Sequence, residues 1–132
     1  MVYFTLNDAN KILPEVIKKF KIALERKNQI SKIEQQLQMD LSTTNKFEDY
    51  IPLKQQLNSA IVLYYQAFET LEKTGVVVKS IDQGLLDFPS KRFDEDVWLC
   101  WKYPENEIKF WHDKDEGFMG RKPIEVSDES LV

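Results

Sequence analysis

Apolar residues recur at steps of three or four along the first third of the chain: Leu6, Ala9, Ile12/Leu13, Val16/Ile17, Phe20, Ala23/Leu24, Ile30, Ile33, Leu37 and Leu41. That period is the one-sided stripe of an amphipathic helix. The stripe skips a beat at Lys27. Thr5 with Asp8 three residues later resembles a capping box with Asp in place of Glu, so a helix is expected to start near Leu6. Pro14 lies inside the pattern and removes one intrahelical hydrogen bond. Either a kink at that point or a short first helix, with Pro14 opening the long one, is expected.

The polar stretch Asp40–Asn45 breaks the period and reads as a loop. A second stripe follows through Tyr50, Leu53, Leu57, Ala60/Ile61, Tyr64, Ala67/Phe68 and Leu71, with Pro52 suited to a first turn and Gly75 to the C-terminal cap. Two helices of about 22 to 30 residues would be roughly 33 to 45 Å long. Joined by a modest loop, they predict an antiparallel hairpin over about residues 6–75 with facing stripes. Two helices cannot enclose a core alone. Their remaining apolar surface must meet the C-terminal segment or a second copy, so a homo-oligomer is expected, a dimer in particular.

After Gly75 the period becomes strand-like. Val76-Val77-Val78 and Leu85-Leu86-Asp87-Phe88 flank the turn signal Asp82-Gln83-Gly84, and Pro89–Asp96 reads as a further loop. Val97–Tyr103 and Ile108–His112 then flank Pro104–Glu107 as a hairpin. Matching its two apolar faces demands an even loop, which sets Trp101 opposite Phe110, Leu99 opposite His112 and Cys100 opposite Trp111. In that register the helix-facing side holds Leu99, Trp101, Phe110 and His112. The other side holds Trp98, Cys100 and Trp111, too apolar to be solvated, and a loop, the 113–124 segment or a partner should cover it.

These periods predict an α+β fold, a long antiparallel two-helix hairpin followed by a small antiparallel sheet of about four strands. One domain is expected over 1–126, with the sheet and tail segment at about 76–124. The acidic, unpatterned residues 127–132 read as a frayed tail.

With 132 residues, 42% apolar and 12% aromatic, the chain suits one packed domain. No apolar run approaches the roughly 20 residues that span a bilayer, and the N-terminus has no basic region before an apolar stretch, so a cytoplasmic protein off the membrane is expected. The single cysteine precludes an intrachain disulfide or a zinc knuckle. The net charge of -4 is uneven, because residues 1–75 carry ten Lys/Arg and nine Asp/Glu whereas 76–132 carry eight and thirteen. Neither half supplies a basic stripe with interleaved aromatics, which disfavours nucleic acid.

Several separated segments carry a resemblance. Phe4-Thr5-Leu6-x-x-Ala9-Asn10-x-x-Leu13-Pro14, Gly84-Leu85-Leu86-Asp87-Phe88-Pro89, and Leu99-Cys100-Trp101 followed by Phe110-Trp111-His112-Asp113-x-Asp115-x-Gly117-Phe118-x-Gly120-Arg121 resemble a prokaryotic family catalogued as domain of unknown function 2203. The resemblance covers nearly the whole chain. It implies a cytosolic protein and no assigned activity, so no residue role carries over.

All three tryptophans, the cysteine and the only histidine fall between Trp98 and His112, which points to this region for any specific chemistry. His112 is the first candidate, as general base or metal ligand, although a lone histidine at the end of an apolar strand face is more often a structural residue donating to a carbonyl or carboxylate. Asp113, Asp115, Glu116 and Asp87 could add oxygen ligands, at a spacing that matches no known coordination motif. Asp87 alternates with Leu86 and Phe88 and needs a partner. Arg121 is the expected one, either as a structural bridge or as an anion-binding residue. Gly117 and Gly120 suit a turn with positive backbone angles and form no phosphate loop. Cys100 reads as a buried inert thiol, since in the even register His112 faces away from it.

The candidate binding set is therefore Asp87, Trp101, Trp111, His112, Glu116 and Arg121, with His112, Asp113 and Asp115 as the metal candidates and no cofactor expected. The leading expectation is a non-catalytic binding or assembly module whose aromatic sheet surface receives a small ligand or a protein partner. The alternatives are a small enzyme using His112 with Asp87 or Glu116 as acid and base, with or without a metal, and a structural subunit of a larger complex.

Overall fold

The computed structural model describes residues 2–43 and 47–125. Two helices, α1 (Leu6–Thr43) and α2 (Phe47–Glu72), precede five strands: β1 (Val77–Ser80), β2 (Leu85–Arg92), β3 (Glu95–Lys102), β4 (Phe110–Asp113) and β5 (Lys122–Pro123). A short 3-10 turn, Phe118–Gly120, lies between β4 and β5. The strands form one antiparallel sheet in chain order. The α+β reading holds, with the two-residue β5 as an addition.

The Thr5 Oγ1 accepts the Asp8 amide at 3.0 Å, the capping bond that the sequence suggests. From there α1 runs unbroken for 38 residues, about 57 Å, so Pro14 neither starts nor ends a helix. The polar stretch from Asp40 was expected to be a loop, but the helix continues through Thr43; Thr44 and Asn45 lie outside the described residues. Likewise α2 begins at Phe47, leaving Pro52 inside the helix instead of in its first turn. Gly75 ends this section at φ 103, with its amide on the Glu72 carbonyl at 3.0 Å.

The missed beat at Lys27 has a structural counterpart. Ala9, Leu13, Val16, Phe20 and Ala23 of α1 join Leu71 and the sheet in one core, whereas Ile33 and Leu37 pack with Leu57 and Ala60 in a second, purely helical one. These pairings run antiparallel. Between the two cores the Lys27 ammonium bonds Asp82 of the β1–β2 turn at 2.8 Å. Among the described residues no helix is long and apolar enough to cross a membrane.

Pro89–Asp96, expected as a loop, is strand joined by the two-residue turn Phe93-Asp94, both at positive φ (51 and 64). Positive angles at both central residues match the twist of a tight hairpin. Pro89 is tolerated inside β2 because its carbonyl accepts the Phe4 amide at 2.7 Å. Nitrogen and carbonyl of one residue face the same side of an antiparallel strand, so no ladder bond to β3 is lost.

The β3–β4 register differs from the expected one by a residue. Trp98 opposes His112, Leu99 opposes Trp111, and Cys100 opposes Phe110. A one-residue slip exchanges the two faces of a strand. Ile108 explains the error: it is buried in the core, but it precedes β4, and its amide donates to the Asn10 Oδ1 at 2.7 Å instead of joining the ladder. It therefore cannot set the strand's parity. Trp111 joins Leu86, Phe88, Val97, Leu99 and Trp101 in the helix-facing core, and His112 turns to the outer face.

Candidate functional site

Strand alternation assembles one set of side chains on the outer face. Asp87 in β2 opposes Cys100 in β3, and His112 in β4 opposes Trp98, so Asp87, Cys100 and His112 come together from three adjacent strands. All three are buried, and one ligating atom from each lies within 4.8 Å of the others. The expectation that His112 faces away from Cys100 is thus overturned by the register.

The His112 Nε2 meets the Asp87 Oδ2 at 3.0 Å, and its Nδ1 meets the Asp113 backbone carbonyl at 3.0 Å. The Asp113 carbonyl can only accept, so Nδ1 carries a proton, and Nε2 donates to Asp87 when the ring is charged. Burial works against the charge, but the hydrogen bonds to Asp87, Cys100 and the Asp113 carbonyl outweigh it and push the imidazole pKa up to about 10. Asp87 does not pair with Arg121 as expected. Arg121 instead donates to the Glu105 Oε2 at 3.0 Å, with its guanidinium 3.8 Å from the Phe110 ring centroid and 4.4 Å from that of Phe118.

That clamp positions the segment that covers the outer face. The Trp98 indole donates to the Lys114 carbonyl at 3.3 Å, and Phe118 lies under the Arg121 guanidinium. Gly117 is at φ -106, so positive backbone angles are not its requirement. At Gly120 a Cβ would press on the Glu116 side chain, whose carboxylate end would have to move aside. Between the segment and the sheet lies a cavity of about 150 Å³. Asp87, Cys100 and His112 line it with Lys79, Leu85, Glu116, Gly117 and Phe118. The Lys79 ammonium also stands 4.6 Å from the Trp98 ring centroid.

Of the residues singled out from sequence, Asp87, His112 and Glu116 converge on this cavity. Trp101 does not. It is fully buried on the helix-facing side, edge-on to Phe20 at 5.4 Å, and its indole donates to the Glu105 carbonyl at 2.7 Å. Trp111 also faces the helices, flanked by Arg92 at 4.6 Å and Lys122 at 4.8 Å. Arg121 holds the covering segment without lining the cavity. The Asp113 carboxylate points away to Lys122 at 2.9 Å, which holds it below its ordinary pKa, and only its backbone touches His112. Asp115 lies with Asp113 on an outer acidic rim beside Asp94–Asp96.

Sequence reasoning missed Cys100, Lys79 and Phe118 as cavity residues. The parity of β2 and β3 alone, Asp87 with Cys100, could have flagged the first. A larger groove of about 260 Å³ runs between the helices past Lys19, Ile22, Arg26, Leu63 and Ala67. Its lining includes no buried titratable group, whereas the smaller cavity is lined by buried Asp87, Cys100 and His112.

Comparison with family models matches residues 2–124 to an uncharacterised conserved protein family, DUF2203. No curated protein and no solved structure matches the chain.

Proposed function

Because the chain belongs to the DUF2203 family of uncharacterised conserved proteins, its role has to be read from the site, and we propose that it binds a small polar ligand in the cavity of Asp87, Cys100 and His112. The observation that carries this reading is that the buried Asp87–His112 pair opens onto a cavity instead of being sealed in the core. A buried ion pair contributes little to stability compared with apolar packing, so its place at a cavity favours a binding role. About 150 Å³ corresponds to roughly five water volumes. That suits a ligand of a few heavy atoms or the tip of a larger one.

Binding is favoured over acid–base catalysis because both nitrogens of His112 are already hydrogen-bonded, to Asp87 and to the Asp113 carbonyl. A general base needs a free ring nitrogen facing its substrate. Free, buried Cys100 fits a reducing compartment, and with it the cytoplasm.

The test is an amide NMR titration of the metal-free protein with acetate and with phosphate. Shifts at residues 85–87, 98–100, 112 and 116–118, with none in α1 beyond Lys27, are the expected result. Shifts absent from these strands, or confined to the interhelical groove, would refute the reading.

A second reading concerns assembly. Ile22 and Leu63, 43% and 41% exposed, border the interhelical groove, and Val62 and Tyr65 are more exposed still. We propose that this helical surface supports a homodimer. Sedimentation at micromolar concentration should give a dimer that Leu63→Glu dissociates; a monomeric wild type would refute it.

A further inference from the structure

We propose that Asp87, Cys100 and His112 form a binding site for a divalent d-block cation of the zinc class, with one coordination position left open to the cavity. The proposal rests on the pocket reading above and names the occupant of its polar centre.

The donor set comes first. A carboxylate oxygen, a thiol sulfur and an imidazole nitrogen converge from β2, β3 and β4 on one sheet face. Sulfur with imidazole selects zinc-like ions over magnesium or calcium, which prefer oxygen alone. Three protein ligands with a fourth position open is the arrangement of zinc sites that bind an exogenous molecule.

Distance comes second. The donor atoms stand within 4.8 Å of one another. Tetrahedral coordination with bonds of about 2.0–2.3 Å places ligand atoms roughly 3.3–3.8 Å apart. Binding the ion would draw the donors together by roughly 1–1.5 Å from that upper bound.

The orientation of the imidazole is the third, independent observation. The Asp113 carbonyl accepts from Nδ1 at 3.0 Å, which turns Nε2 toward Asp87 and Cys100. Ligating histidines characteristically donate their second nitrogen to a carbonyl or carboxylate, which fixes the ring for the metal. The cation would replace the proton shared by Nε2 and Oδ2 and the proton of the Cys100 thiol, both released to solvent.

No donor comes from the acidic rim. Asp113 and Asp115, the acidic metal candidates of the sequence, lie outside the cavity.

The experiment uses the full chain, stripped with a chelator, loaded with Zn²⁺ or Co²⁺ and desalted. The expected result is one retained ion per chain by elemental analysis. The cobalt form should show tetrahedral ligand-field bands and a thiolate-to-cobalt charge-transfer band. Cys100→Ser should abolish that band and weaken binding by more than about tenfold, whereas Asp115→Asn should change neither. Far-ultraviolet circular dichroism checks that the variants fold. Should Cys100→Ser not fold, the wild-type charge-transfer band decides alone.

Retention no greater than that of Cys100→Ser, or a cobalt form without thiolate character, would overturn the proposal. If no metal is retained while acetate or phosphate still shifts the amides of β2–β4, the metal is wrong and the pocket stands. If neither occurs, both fall.

Discussion

The His112 imidazole and the Asp87 carboxylate meet at 3.0 Å across the strand that carries Cys100, although 25 residues separate them in sequence. Their side chains are only 2% and 3% exposed. Removing either partner leaves the other buried and unsatisfied, at a cost of about 3–5 kcal/mol. Urea unfolding of metal-free Asp87→Ala, His112→Ala and the double variant should show the double variant less destabilised than the sum of the singles. A coupling energy under about 0.5 kcal/mol would mean that the two do not act as a pair.

Arg121 is expected to govern the order of the segment over the cavity. Its guanidinium joins Glu105 to the Phe110 and Phe118 rings, a planar stacking geometry that an ammonium cannot reproduce. Arg121→Ala should cost about 1–2 kcal/mol and speed amide exchange over residues 114–121 while the helices stay protected. Arg121→Lys should restore little of that protection. Full rescue by lysine would show that charge alone suffices.

The contrast between Lys27 and Phe20 tests the division of the core. The Lys27–Asp82 ion pair is substantially exposed, so Lys27→Ala should change stability by less than about 1 kcal/mol. Phe20 is fully buried against Trp101, and Phe20→Ala should cost about 3–5 kcal/mol. Similar melting temperatures for the two variants would contradict this partition.

Two glycines that look alike in sequence should respond differently. Gly84 sits at φ 68, and a Cβ there would lie 2.6 Å from the Tyr103 Cβ, so Gly84→Ala should destabilise by more than about 1 kcal/mol. At Gly117 a Cβ meets nothing within 4 Å, and φ is negative. Gly117→Ala should shift stability by less than about 0.5 kcal/mol in thermal or urea unfolding.

Much of the fold was legible because helices and strands declare themselves locally. The Thr5 cap, both apolar stripes, the pause at Lys27 and the Asp82–Gly84 turn all lie within a few residues of the feature that they specify. The errors cluster where a distant group substitutes for a local signal. Pro89 reads as a loop residue until the Phe4 amide is seen on its carbonyl. Ile108 reads as a strand residue until Asn10 is seen to take its amide.

The Ile108–Asn10 contact bears directly on the site. Shifting β4 by one residue moves His112 to the face of Asp87 and Cys100 and sends Trp111 into the core. The sequence by itself determined the order of two long helices followed by antiparallel strands and the outward placement of Asp87, since period and parity within a strand are local properties of the backbone. Only the tertiary structure decided the parity between β3 and β4, and with it the Asp87–Cys100–His112 cluster. Register across an irregular loop is set by contacts nearly a hundred residues away, which no local pattern contains.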